Sequence, residues 1–129
     1  MSSRVVGALA SRREEFEKLR EMAKRILEAF ESPLHAFIYQ RSIDDVNLVA
    51  TVIREAGIGP LVNQVVLSGR EGIYALLVND RGCKNECAYG RCDPSDRECL
   101  DRCVEECKSK RLEAVVMRLR EYIGGHANR

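Results

Sequence analysis

Leu34-His35-Ala36-Phe37-Ile38-Tyr39-Gln40-Arg41-Ser42-Ile43-Asp44-Asp45 changes its period in the middle. Up to Arg41 it alternates, with His35, Phe37, Tyr39 and Arg41 on one face and Leu34, Ala36, Ile38 and Gln40 on the other, the period-two pattern of a strand. From Ser42 onward Ile43, Val46, Val49, Val52 and Ile53 recur at helical spacing. Ser42 with Asp45 three residues on forms a capping box, and Gly57 followed by Gly59-Pro60 ends the helix. A strand feeding directly into a capped helix places the chain in a mixed class, and the flanking sequence decides which one.

Upstream, Ser11 with Glu14 forms another capping box, after which Phe16, Leu19, Met22, Ala23, Ile26, Leu27 and Phe30 make an apolar stripe. Glu14 with Lys18 and Glu21 with Arg25 pair on the outer face, and Ser32-Pro33 stops this helix. Downstream, Leu61 to Leu67 and Ile73 to Val78 are β-rich runs joined by Ser68-Gly69-Arg70-Glu71-Gly72, a hairpin with a longer loop. A cysteine segment follows from Gly82. Asp93-Pro94-Ser95-Asp96 then has the cap, first-turn proline and acidic residue of a helix start, and the stripe Leu100, Val104, Leu112, Val115, Leu119, Tyr122 and Ile123 runs as far as Gly124-Gly125. That helix is roughly 30 residues and about 45 Å long, so part of it is expected to pack beyond the core. The expected fold is α+β in one domain, residues 1–129. An α-β-α-β-β core with a small sheet of three strands or slightly more occupies 1–81, a cysteine-rich helical hairpin 82–107, and the end of the long C-terminal helix with its tail 108–129.

Composition narrows the setting. The 129 residues carry a net charge of +1 and 32% charged side chains, so no strongly basic footprint announces nucleic-acid binding. Locally the charge segregates: +2 over residues 1–41, −3 over 42–80, −2 over 81–107 and +4 over 108–129. The uncharged run Val5 to Ala10 is too short for a signal-peptide core or a membrane span, and the chain is read as soluble and cytoplasmic. Arg and Glu dominate the charge, Gln stands only at 40 and 64, and Thr only at 51. These are thermophile trends, and hyperthermophiles are the organisms whose cytosol tolerates disulfides.

Cys83, Cys87, Cys92, Cys99, Cys103 and Cys107 include two i,i+4 pairs, each with both sulfurs on one helix face. An antiparallel fold-back sets Cys83 opposite Cys107, Cys87 opposite Cys103, and Cys92 with Cys99 at the bend. Nested pairing uses all six, although six cysteines permit about 15 connectivities. A structural zinc site or an iron–sulfur cluster remains the rival; zinc sites favour shorter spacings and often recruit histidine, and His35 and His126 lie far off.

No phosphate loop, dinucleotide fingerprint or nucleophile elbow occurs, so no enzyme and no cofactor are expected. The informative face is His35, Phe37, Tyr39 and Arg41, two rings flanked by two cations. If it is open it can stack bases and hold phosphates, with Tyr74 extending the platform and Arg12, Arg13 and Arg70 adding cations. If the strand is covered on that side, the same rings are ordinary core.

The amphipathic first helix from Ser11 to Phe30, the strand from His35 to Arg41, two more strands and a long C-terminal helix together resemble the layout of ThermoDBP and ThermoDBP-related single-stranded DNA-binding proteins of thermophilic archaea. The cysteine segment stands outside that resemblance. It implies a small sheet and helices forming an apolar cleft edged by basic residues, with Phe37, Tyr39 and Arg41 inside. The expected function is non-catalytic binding of single-stranded nucleic acid with little sequence preference, in a homodimer joined through the C-terminal helix. The alternatives are a disulfide-stapled interaction or dimerisation module and a cysteine-based zinc protein.

Overall fold

A computed structural model describes residues 2–67 and 72–127, with the side chains of 12–66 and 72–125. Its elements follow in the order α1 (Ser2–Glu31), β1 (Ala36–Gln40), α2 (Ile43–Ala56), β2 (Val62–Leu67), β3 (Ile73–Val78), α3 (Cys83–Glu86) and α4 (Arg97–Ala127). A single 3₁₀ turn, Gly59–Leu61, leads into β2, and one π-helical turn, Cys87–Arg91, extends α3.

The sheet is antiparallel with strand order β1-β3-β2. Tyr39 pairs with Tyr74 and Tyr74 with Val66; one register step along, Ile38 pairs with Ala75 and Ala75 with Val65. Because side chains alternate, the sheet has one face carrying Phe37, Tyr39, Tyr74, Leu76 and Val62, and another carrying Ala36, Ile38, Ile73, Ala75, Leu77 and Val65. The helices cover only the first. Leu19, Met22, Ala23, Ile26 and Phe30 of α1, Val49, Val52 and Ile53 of α2, and Val115 and Leu119 of α4 bury against Phe37, Tyr74, Leu76 and Val62 in one cluster.

The local chemistry of α2 matches its sequence. Ser42 is extended and its hydroxyl accepts from the Asp45 N–H, while the Asp45 carboxylate accepts from the Ser42 N–H. Gly57 closes the helix at φ 71°, a left-handed position that glycine takes without strain. Ile43, expected to face inward, is 84% exposed. The other helices depart further at their starts. α1 begins at Ser2 and runs through Ser11, so the Ser11–Glu14 pattern lies within the helix. α4 begins at Arg97: Asp96 accepts from the Cys99 N–H, whereas Asp93 accepts from the N–H and hydroxyl of Ser95 and shapes the preceding bend. Those two bonds hold the Asp93 carboxyl below its ordinary pKa. α4 also continues through Gly124 and Gly125 to Ala127.

Three disulfides join Cys83 to Cys107, Cys87 to Cys103 and Cys92 to Cys99, the nested set. The first half of α4 is therefore stapled to α3 and its π turn, and the second half supplies core. The apolar stripe from Leu112 to Ile123 is occupied within its own chain. No helix among the described residues is long and apolar enough to cross a membrane.

Candidate nucleic-acid interface

The structure roofs the ring face of β1 and leaves the other face open. Phe37 and Tyr74, expected as parts of an open stacking platform, are 4% and 2% exposed. Burying two rings under three helices removes far more apolar surface from water than burying Ala36 and Ile38 would, and the larger set goes inside. Tyr74 donates its hydroxyl to the Gln64 side-chain oxygen at 2.6 Å, and burial raises its pKa above the ordinary tyrosine value.

Tyr39 keeps a partly exposed ring, stacked on Phe37 at a centroid distance of 5.8 Å. The Arg25 guanidinium lies 5.5 Å from its centroid and donates to its hydroxyl at 3.1 Å. Arg25, expected to pair with Glu21, thus serves β1, and Lys24 takes Glu21 at 3.6 Å. Sequence reasoning missed Arg25 because its partner is on another element. Arg41 ends β1 with its N–H on the Gly72 carbonyl, and its guanidinium fills the space where a Gly72 side chain would stand. His35 is exposed at the other end of β1 at φ 49°; its Nδ1–H donates to the Phe30 carbonyl at 3.0 Å, a bond that offsets part of the strain of a left-handed non-glycine residue. Arg12 and Arg13 are exposed on α1, but 13 and 12 residues before Arg25 they lie about 18–20 Å from it along the helix, so the structure does not gather them at Tyr39. Arg70 lies outside the described residues.

The open surface is the opposite face. Ile38 is 69% exposed, and Val65, Ile73 and Leu77 are exposed beside it, with Ala36 and Ala75 between them. Gln40 and Asn63 stand at two of its corners. The three strands span about 10 Å between outer axes and the face runs roughly 17 Å along them. Arg41, set against Gly72, and His35, bonded to the Phe30 carbonyl, fall on the parity of Phe37 and Tyr74 and flank the other face at the two ends of β1. The patch is contiguous and aliphatic, and no helix among the described residues covers it. The alternation of β1 could have located it: Ile38 and Leu34 share its face.

One ring went unnoticed in the sequence. Tyr89 is 88% exposed on the π turn, the most exposed of the seven aromatic residues. It belongs to the cysteine hairpin and not to the sheet. Comparison with protein-family models, curated proteins and solved structures finds no match.

Proposed function

We propose that the chain is a non-catalytic single-stranded nucleic-acid-binding module, acting in the cytoplasm of a thermophilic archaeon, whose contact surface is the open face of the sheet. The observation that carries this reading is the exposed aliphatic field of Ile38, Val65, Ile73 and Leu77 on the helix-free face of the sheet. The flat faces of unpaired bases are apolar, and covering them on such a field gains roughly 25 cal/mol per Å² of apolar area removed from water. Arg41 and His35, at the two ends of the edge strand β1, then meet the sugar–phosphate chain where it wraps round that edge, with Tyr39 under Arg25 between them. A contact built of aliphatic groups and phosphate charges reads no base edge, in keeping with low sequence preference. The layout resemblance to ThermoDBP-type proteins supports single-stranded nucleic acid as the ligand, with the contact moved from the Phe37 and Tyr39 face to the opposite one.

The test is fluorescence anisotropy of labelled oligo-dT. Binding is expected at low salt and falls steeply as salt rises, since each neutralised phosphate releases counterion. The double variant Ile38→Glu/Leu77→Glu, with unchanged circular dichroism, is expected to weaken binding at least about tenfold, through lost apolar contact and added like charge. Absence of binding at low salt, or an unaffected double variant, would sink the reading.

A second reading is a stapled protein-interaction or dimerisation module, favoured by the aliphatic rather than aromatic character of the same patch. Light scattering separates the two. If the open face joins two copies, the wild-type chain is dimeric and Ile38→Glu/Leu77→Glu is monomeric, without oligo-dT taking part.

A further inference from the structure

The two bridges nearest the sheet put four sulfurs at the corners of one small volume. Cys83 and Cys87 are separated by one turn on α3 and its extension, Cys103 and Cys107 by one turn on α4, and each bridged pair has its Cα atoms 5.9 Å apart. Cβ atoms at i,i+4 lie about 5–6 Å apart. Thiolates around a zinc ion at ~2.3 Å stand roughly 3.8 Å from one another in a tetrahedron, so a small closing along the helices and opening between them converts the rectangle into a Cys₄ site.

The surroundings fit such a centre. Cys83, Cys87 and Cys103 are buried, and a cleft of about 250 Å³ reaches Cys87, Cys103 and Cys107. Its other walls are Glu86 and three cations, Arg91, Lys110 and Arg111. Four thiolates and one divalent ion carry a net charge of −2, which Lys110 and Arg111 offset while Arg91 is paired with Glu106, and cations beside thiols favour the thiolate that binds metal. Arg111 is held by the carbonyls of Asn79 and Arg81 at 2.6 and 2.8 Å, so its place does not depend on the bridges. With the disulfides formed, the described residues contain no group of three free metal-ligating side chains.

We propose that the cysteine hairpin has two chemical states, a disulfide staple when oxidised and a zinc site on Cys83, Cys87, Cys103 and Cys107 when reduced. A dithiol or phosphine reductant delivers four electrons, and with four protons the two S–S bonds become four thiols. Binding of one zinc ion then releases those four protons. Cys92 and Cys99 form the third rung at the bend, where both are partly exposed and outside the cation-lined cleft, and they take no part. The proposal stands independently of the nucleic-acid reading.

The experiment uses the full chain reduced by a phosphine under argon and titrated with Co²⁺. Expected are thiolate-to-cobalt charge-transfer absorption and the visible bands of tetrahedral cobalt, saturating at one equivalent and abolished by one equivalent of Zn²⁺. Circular dichroism is expected to show the helices of the zinc-loaded reduced chain intact. Cys92→Ser/Cys99→Ser keeps the bands and Cys83→Ser/Cys107→Ser loses them. Missing bands, a different stoichiometry, bands that survive Cys83→Ser/Cys107→Ser, loss of the bands in Cys92→Ser/Cys99→Ser, or a zinc-loaded chain without helices would each overturn the proposal.

Discussion

Phe37 and Ile38 are consecutive in β1, yet Phe37 is 4% exposed among three helices and Ile38 is 69% exposed on the opposite face. The two positions therefore separate stability from binding. Phe37→Ala is expected to destabilise the chain by about 3–5 kcal/mol, the range for emptying a buried aromatic site. Ile38→Glu is expected to change stability by no more than about 0.5 kcal/mol, as for most surface substitutions, while weakening oligo-dT binding. Urea unfolding beside anisotropy reads both, and equal destabilisation by the two variants contradicts the assignment of faces.

The three bridges enclose loops of different length, with partners 24, 16 and 7 positions apart. Because they are nested, each bridge closes only the segment left by the next one inward, about 8–12 residues, and removal of any one by paired serine substitution is expected to cost about 2–3 kcal/mol. Scanning calorimetry reads the loss in each variant. Intact mass without reductant is expected about six daltons below the all-thiol value, one hydrogen for each cysteine.

Removing residues 108–129 takes Val115 and Leu119 out of the core, together with Leu112, Val116, Tyr122 and Ile123 packed against it. It also removes the hydrogen bonds of Arg118 to the Gly57 carbonyl and of Tyr122 to Glu55. The truncated chain is expected to lose cooperative unfolding and most of its helix signal by circular dichroism. A folded truncation product would show that the C-terminal half of α4 is an accessory.

The buried phenol of Tyr74 makes stability depend on alkaline pH. Its pKa is raised in the folded state, so its contribution is whole below the unfolded value of about 10 and is lost as pH climbs through the higher folded value. Absorbance at alkaline pH is expected to show Tyr74 ionising late, above the ordinary tyrosine value, with the unfolding midpoint falling over the same interval. In Tyr74→Phe the late step disappears and the decline becomes shallower.

Features that depend on neighbours along the chain were legible before the structure. The Ser42–Asp45 cap, the Gly57 stop, the β2–β3 hairpin and the nested cysteines are of that kind, because spacing alone sets their geometry. Alternation likewise sorted β1 into two faces, but it carries no sign: which face is roofed depends on where α1, α2 and α4 come to lie. Whether Phe37 and Tyr74 are platform or core was open in the sequence for that reason. The Ser11–Glu14 pattern misplaced the start of α1 because serine and glutamate at that spacing also occur inside a helix. Arg25 was hidden because its partner, Tyr39, is supplied by a different element.

The strand order β1-β3-β2 puts the last strand made at the centre of the sheet. As the chain emerges from the ribosome, β1 finds no partner until Ile73 to Val78 have followed it, whereas β2 and β3 meet as a hairpin within a few residues. The rate of closing the sheet is then set by the docking of β1 onto a finished hairpin across the whole of α2, the step with the longest loop to close. Until that step Phe37 lies outside the core, so the nascent protein stays exposed to aggregation for the time it takes to synthesise α2 and the hairpin.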